Sequence, residues 1–121
     1  MNRALIVLAG LMGAAGIVLA ALGTHGGDLP RLTTASSMLL FHAPVILAVV
    51  VLRDRQLVQR HIAIAAAAGY AIGAVLFATD LAVRDLAGHA LFPMAAPTGG
   101  TILIGAWLVL AFSGLVARRS A

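Results

Sequence analysis

The chain has 121 residues, of which 62% are hydrophobic and only 10% are charged. Soluble domains hold roughly 45–50% apolar and about 25% charged residues, so this composition predicts a membrane protein, and the length predicts one domain. The absence of cysteine excludes disulfides, cysteine-ligated zinc, iron–sulfur clusters and thiol catalysis. The net charge of +4 does not predict nucleic-acid binding, because the arginines are scattered between apolar runs.

Four stretches are long enough to cross a hydrocarbon core of about 30 Å, which takes roughly 20 helical residues. The first exceeds the apolar length of a signal peptide, so we expect it to be retained as a span. We therefore predict an all-α fold, an integral membrane four-helix bundle that forms a single domain over residues 1–121. The predicted spans are Ala4 to Leu22, Thr33 to Leu52, His61 to Thr79 and Gly99 to Ala117.

The arginines are distributed unevenly between the two ends of these spans. Positively charged loops stay on the cytoplasmic side of a membrane. If both termini and the second loop are cytoplasmic, only Arg31 and Arg84 lie outside. The sequence therefore predicts an N-in, C-in topology. The arginines assigned to the inside are Arg3, Arg53, Arg55, Arg60, Arg118 and Arg119.

Small residues predict where the helices approach one another, because packing of backbones drives helix association in lipid. The first span carries Gly10, Gly13 and Gly16, and the third carries Gly69 and Gly73 in a GxxxG pattern. We interpret these glycines as helix-packing positions.

The second span carries a histidine within the apolar run MLLFHAPVIL. At 1.5 Å per residue, His42 lies roughly 13 Å below the outer boundary of its span, close to the bilayer midplane. Tyr70 and Trp107 fall at a similar depth in the third and fourth spans. The hypothesis is that the three side chains form one buried polar–aromatic layer, structural or functional, with His42 neutral because burial disfavours its charged form.

Two neighbouring features complete this expectation. Gly13 of the first span falls at the level of the layer, where a missing side chain leaves room for the rings. Pro44 has no N–H to give the carbonyl of Leu40, so we expect a kink in the second helix and a free acceptor close to His42.

Ionisable residues also gather in the two predicted outer loops. If residues 80–90 form a short helix, Asp80 and Arg84 are i,i+4 neighbours, and so are Asp85 and His89. A cluster of these ligand types would suit zinc, but no metal-binding spacing is present, and we predict no metal. Pro97 and Thr98 are typical of a helix start, with Thr98 as N-cap of the fourth span. The outer-rim candidates are His25, Asp28, Asp80, Asp85 and His89.

The second loop holds Arg53, Asp54, Arg55, Arg60 and His61. We interpret it as a topology anchor that also attracts anionic lipid headgroups.

Four segments carry a family resemblance: LGTHG, FHAPVIL, GAVLFATDLA and APTGGTILIGAWLVLA. In this order they resemble the motifs GAFGAHG, YHALALL, LFSGSLY and TPLGGxxFxxGW of the YgdD-like family of small bacterial inner-membrane proteins, a domain of unknown function (number 423). The resemblance singles out His25 and His42 and implies four spans in a bacterial inner membrane. Asp80 stands where the family has a serine, and the segment between the first two motifs is shorter than in the family. No activity follows, because the family has none assigned.

Short loops, few polar residues in the spans and no catalytic constellation favour a protein that is not an enzyme. We predict an accessory, assembly or stabilising subunit of a larger membrane complex, with lipids and other membrane subunits as partners and no cofactor. A transporter of a small solute or proton that uses His42 is the main alternative. A haem-binding protein is a further one, although His42 has no second histidine at its depth.

Overall fold

The computed structural model describes residues 2–116, apart from the side chain of Asn2. Ala117, Arg118 and Arg119, which the sequence assigned to the end of the fourth span and to the inner side, lie outside these residues. Four helices are present: α1 (Asn2–His25), α2 (Pro30–Asp54), α3 (Arg60–Ala87) and α4 (Ala95–Val116). All four are long and apolar enough to cross a membrane. The all-α prediction with four such helices is confirmed, and it suggests a multi-pass membrane protein.

The largest differences from the predicted spans are at the end of α3 and at the start of α4. α3 continues through the segment expected to form a separate short helix and ends at Ala87, and Gly88 after it takes the left-handed conformation with φ 77°. α4 begins at Ala95, ahead of the predicted start. Thr98 is therefore not the N-cap, and its N–H donates to the carbonyl of Met94 at 2.9 Å. Pro97 lies in the first turn, where a missing N–H leaves no helix hydrogen bond unmade.

The starts of α2 and α3 follow ordinary capping chemistry. Pro30 occupies the first position of α2, which suits its fixed φ. Gln59 caps α3, because its side-chain oxygen accepts a hydrogen bond from the N–H of Ile62 at 2.8 Å. α2 continues as one helix through Pro44.

The helices pack mainly as consecutive antiparallel pairs. α1 packs on α2, α2 on α3 and α3 on α4, while α1 touches α3 only slightly. Within residues 2–116, the backbones of α1 and α4 do not approach each other. α2 and α3 therefore form the centre of the fold, and α1 and α4 lie at its two sides.

Glycines allow the closest approaches in this arrangement. At Gly16, where Ser36 donates to the carbonyl at 2.7 Å, an added Cβ would lie 2.7 Å from the Leu40 side chain. On α3, a Cβ at Gly73 would lie 2.9 Å from the carbonyl oxygen of Gly99, and one at Gly69 would lie 2.8 Å from Ala106. Real Cβ atoms do not come this close, so a larger residue would displace the Leu40 side chain at Gly16 and would push α4 away from α3 at Gly73, where the neighbouring atom is backbone.

The prediction that Gly10 and Gly13 pack against another helix is wrong. Among residues 2–116, nothing lies within 4 Å of a Cβ placed at either glycine. The face of α1 that meets α2 carries Ala9, Met12 and Gly16 at helical spacing. Gly10 and Gly13 each follow a residue of that face by one position, which turns them about 100° away from it.

Candidate functional site

The structure brings His42, Tyr70 and Trp107 together between α2, α3 and α4. The indole N–H of Trp107 donates to Nε2 of His42 at 3.3 Å. The ring centroids of Tyr70 and Trp107 are 4.9 Å apart in an edge-on arrangement, and those of His42 and Tyr70 are 5.7 Å apart. These three side chains are called the polar–aromatic layer below. Tyr70 is 0% and His42 4% exposed, whereas Trp107 is 39% exposed and forms the outer edge of the layer.

The hydrogen bonds of His42 define one tautomer. Its Nδ1 lies 2.8 Å from the carbonyl oxygen of Met38, one turn back in α2. A carbonyl only accepts and an indole N–H only donates, so Nδ1 carries the proton and Nε2 is the acceptor. The ring is therefore a neutral imidazole in this arrangement. The acceptor for its N–H is the Met38 carbonyl.

Tyr70 adds an unused polar group to the layer. Its hydroxyl is buried and has no hydrogen-bond partner among residues 2–116. Leaving a buried hydroxyl unpaired costs about 1–3 kcal/mol. We expected Gly13 of α1 to leave room for the rings of the layer. It does not adjoin them, because α1 packs on α2 and does not approach α4 within residues 2–116.

Asp80 is the most buried charged group of the described residues, with 0% exposure. One of its oxygens accepts from Arg84 Nε at 3.0 Å and from the N–H of Ala96 at 3.2 Å. The other accepts from the N–H of Leu91 at 2.8 Å. The expected contact with Arg84 is present, and the carboxylate also ties the start of α4 and its preceding loop to α3.

Asp85 does the same for the start of α2. Its two oxygens accept from Arg31 Nη1 and from the N–H of Leu32, each at 3.1 Å. The four side chains Asp80, Arg84, Asp85 and Arg31 are called the rim network below. Both carboxylates lie at helix N-termini, where negative charge is stabilising.

The expected pairing of Asp85 with His89 is wrong, because α3 ends at Ala87 and leaves His89 in the loop. The His89 ring instead donates from Nδ1 to the carbonyl of Ala90 at 2.8 Å. His25 and Asp28 are exposed at the end of α1 and in the next loop. Within residues 2–116, no three His, Cys, Asp or Glu side chains come together as metal ligands. The structure therefore does not assemble the His/Asp cluster considered from the sequence.

A cleft separates α1 from α3. It has a volume of about 560 Å³, its floor includes Leu39 of α2, and Thr79 is the one polar residue in its lining. We call it the α1–α3 cleft. The sequence did not predict this cleft, because the length and hydropathy of a span do not show which helices it packs against and which of its faces remain exposed.

The sequence also missed the acceptor role of Asp80 and Asp85 toward backbone N–H groups of distant elements. The only available signal was an aspartate retained at the end of an apolar span, which is costly unless it is paired.

Among known proteins, no curated protein and no solved structure matches this chain. One family profile does match, described as "Protein of unknown function (DUF423)", and it covers residues 12–100. The matched residues run from α1 into the first turns of α4 and include His42, Tyr70 and the whole rim network. The chain belongs to the DUF423 family.

Proposed function

We propose that the protein is a non-catalytic accessory or assembly subunit of a larger membrane protein complex. The observation that carries this proposal is the α1–α3 cleft: within residues 2–116, α1 packs closely on α2 alone and only touches α3, and no helix fills the space between α1 and α3. In this proposal a transmembrane helix of another subunit fills the cleft.

The dimensions of the cleft support a helix as its occupant. Its lining runs along α1 from Leu8 to Leu19 and along α3 from Val75 to Ala87. At 1.5 Å per residue these stretches are about 16 and about 18 Å long, which corresponds to three turns of a docked helix.

The lining residues support the same occupant. Ala15 on α1 and Ala78 and Ala82 on α3 are small, so they allow another helix backbone to approach closely. Bulkier apolar residues, among them Leu11 and Val83, stand between them. Alternating small and large side chains favour packing of ridges into grooves over loose contact with lipid chains.

The polar–aromatic layer gives less support to a transporter. Both ring nitrogens of His42 are engaged within the protein. His42 does not line the α1–α3 cleft. A group that relays a proton needs a polar neighbour on each side of a path, whereas the layer is flanked by apolar core residues such as Leu39, Ile46 and Ala106.

We also propose that the protein lies in a bacterial inner membrane with both termini cytoplasmic. The distribution of the arginines supports this orientation. Among the described residues, Arg31 and Arg84 lie at the end assigned to the outside, and four arginines lie at the other end: Arg3, Arg53, Arg55 and Arg60. More positively charged residues thus lie at the proposed cytoplasmic end.

The test uses the full chain, tagged and expressed at its native level, with a photo-crosslinking residue at position 15. Ala15 lines the cleft, whereas Ala14 is exposed beside it and does not line it. We expect light to join position 15, but not position 14, to one transmembrane segment of a different protein. We further expect that protein to remain bound at fixed stoichiometry in mild detergent.

Two variants give the test a matched control. Ala15→Phe fills the cleft and should release the partner, and Ala14→Phe adds the same ring on the neighbouring lipid-facing side and should leave it bound. The proposed function would be contradicted by crosslinks to lipid alone or only between copies of this chain. It would also be contradicted if both variants retained the partner equally.

A further inference from the structure

The loop between α2 and α3 surrounds a cavity of about 410 Å³. We call it the loop cavity. Two guanidinium groups and one carboxylate belong to its lining, so its formal charge is positive. The lining residues are Arg53, Asp54, Gln56, Val58 and Arg60.

Arg53 is held in this lining with most of its hydrogen-bonding capacity unused. Its side chain is only 11% exposed, and Nη2 lies 3.4 Å from the Asp54 carboxylate. Nη1 is buried and has no hydrogen-bond partner within residues 2–116. A guanidinium offers five N–H donors, and burying a charged donor without an acceptor is unfavourable. The Arg53 side chain lines the cavity and makes one long contact with a carboxylate, so it has further N–H donors to offer an anion there.

The backbone of the loop brings a second source of positive potential to the same place. Gln56 has a φ of 60° and donates its N–H to the Arg53 carbonyl at 2.9 Å, which reverses the chain. α3 then begins at Arg60 and has no acidic residue in its first turn. The N-terminus of a helix carries about half a positive charge. The N–H of Ile62 is taken by the Gln59 side chain, and the N–H groups before it point out of the helix.

We propose that the loop cavity binds a phosphate group, carried either by a phospholipid headgroup or by a soluble phosphorylated molecule. A phosphate presents several acceptor oxygens, which suit two guanidinium forks and a helix N-terminus better than the two oxygens of a carboxylate do. The cavity lies between the ends of two helices that are each long enough to cross a membrane, which is the level of lipid headgroups. Binding there does not depend on the accessory role proposed above.

The test uses the full chain in a neutral mild detergent. Its thermal unfolding is followed while phosphatidylglycerol, phosphatidylcholine with the same acyl chains, or inorganic phosphate without lipid is added. At about 1 M salt, where the Debye length is about 3 Å, long-range attraction to surface arginines is screened. We expect phosphatidylglycerol to protect the protein more than phosphatidylcholine does. The concentration for half-maximal protection should rise at least about tenfold in Arg60→Gln.

Arg55→Gln is the matched control, because it removes the same charge from the same loop but Arg55 does not line the cavity. It should keep the wild-type protection. Arg60 is exposed, so its variant remains informative even if Arg53→Gln fails to fold.

The three ligands also separate the two sources. Protection by phosphatidylglycerol alone supports the proposal with a headgroup as the ligand. Protection by inorganic phosphate that is lost in Arg60→Gln supports it with a soluble ligand. Three results would overturn the proposal. The first is an equal loss of protection in Arg55→Gln and Arg60→Gln. The others are equal protection by the two lipids without any effect of phosphate, and no protection at all.

Discussion

Asp80 in the rim network and His42 in the polar–aromatic layer are both almost completely buried, but they are bonded differently. Asp80 accepts hydrogen bonds from α3, from the following loop and from α4. His42 makes one bond within its own helix and one longer bond to α4. The buried charge of Asp80 therefore lies where three elements supply hydrogen-bond donors to it. The neutral ring of His42 lies between helices, where fewer hydrogen-bond partners are available. The comparison predicts that the rim network contributes more to stability than the layer does.

The largest effect is expected for Asp80→Ala. The change removes an ion pair and leaves the N–H groups of Leu91 and Ala96 without their acceptor, so we expect a loss of about 3 kcal/mol in the free energy of unfolding. Titration of the detergent-solubilised protein with a denaturing detergent, followed by circular dichroism, measures it. Asp28→Ala, at an exposed position, should change stability by no more than about 0.5 kcal/mol. Equal effects of the two substitutions would show that the buried Asp80 contributes no more to stability than an exposed aspartate does.

An intermediate effect is expected for Gly99→Ala, which lies between the two regions. Its Cβ would stand 2.7 Å from the Phe77 nitrogen and 2.8 Å from the Gly73 oxygen, so α4 must move away from α3. We expect a loss of about 2 kcal/mol, together with a shift in the fluorescence of Trp107, the only tryptophan.

Gly105→Ala, on the same helix, is the control for Gly99→Ala. Among residues 2–116, nothing lies within 4 Å of a Cβ added at Gly105. It should leave both the stability and the emission close to those of the wild type. If Gly99→Ala lowers stability without moving the emission, the rim network and the layer respond independently.

The smallest effect is expected for the bond between Trp107 and His42. Hydrogen bonds between membrane helices are worth about 0.6 kcal/mol on average in double-mutant cycles, and this one is long at 3.3 Å. A cycle of His42→Phe, Trp107→Phe and the double variant should give a coupling energy of about that size. A coupling as large as the loss in Asp80→Ala would reverse the ranking of the two regions.

The sequence predicted those parts of the fold that depend on one helix at a time. Span length and hydropathy were enough to locate four helices, because each is a continuous apolar run of the length that a membrane-crossing helix has. Depth counting placed His42 near Tyr70 and Trp107, since residues at one depth in antiparallel helices become neighbours once those helices are adjacent.

Features that depend on loops or on the rotation of a helix were not predictable in this way. Asp85 binds Arg31, which lies 54 positions away in the chain, and that pairing requires the exact direction in which α2 begins. Gly10 and Gly16 are equally small, yet only the rotation of α1 decides which of them faces α2. Thr98 resembled a cap by residue type, but it is not one, because α4 starts earlier, in the turn that Asp80 stabilises.

The consecutive packing of the helices has a consequence for biosynthesis. Each helix after the first packs on the segment made immediately before it, so α2 can pair with α1, α3 with α2 and α4 with α3 as each leaves the ribosome. No segment has to wait for a distant one, and such local order favours rapid assembly without long-lived exposed intermediates. The rim network would then close in two steps, with Asp85 engaging Arg31 when α3 is complete and Asp80 engaging the start of α4 last.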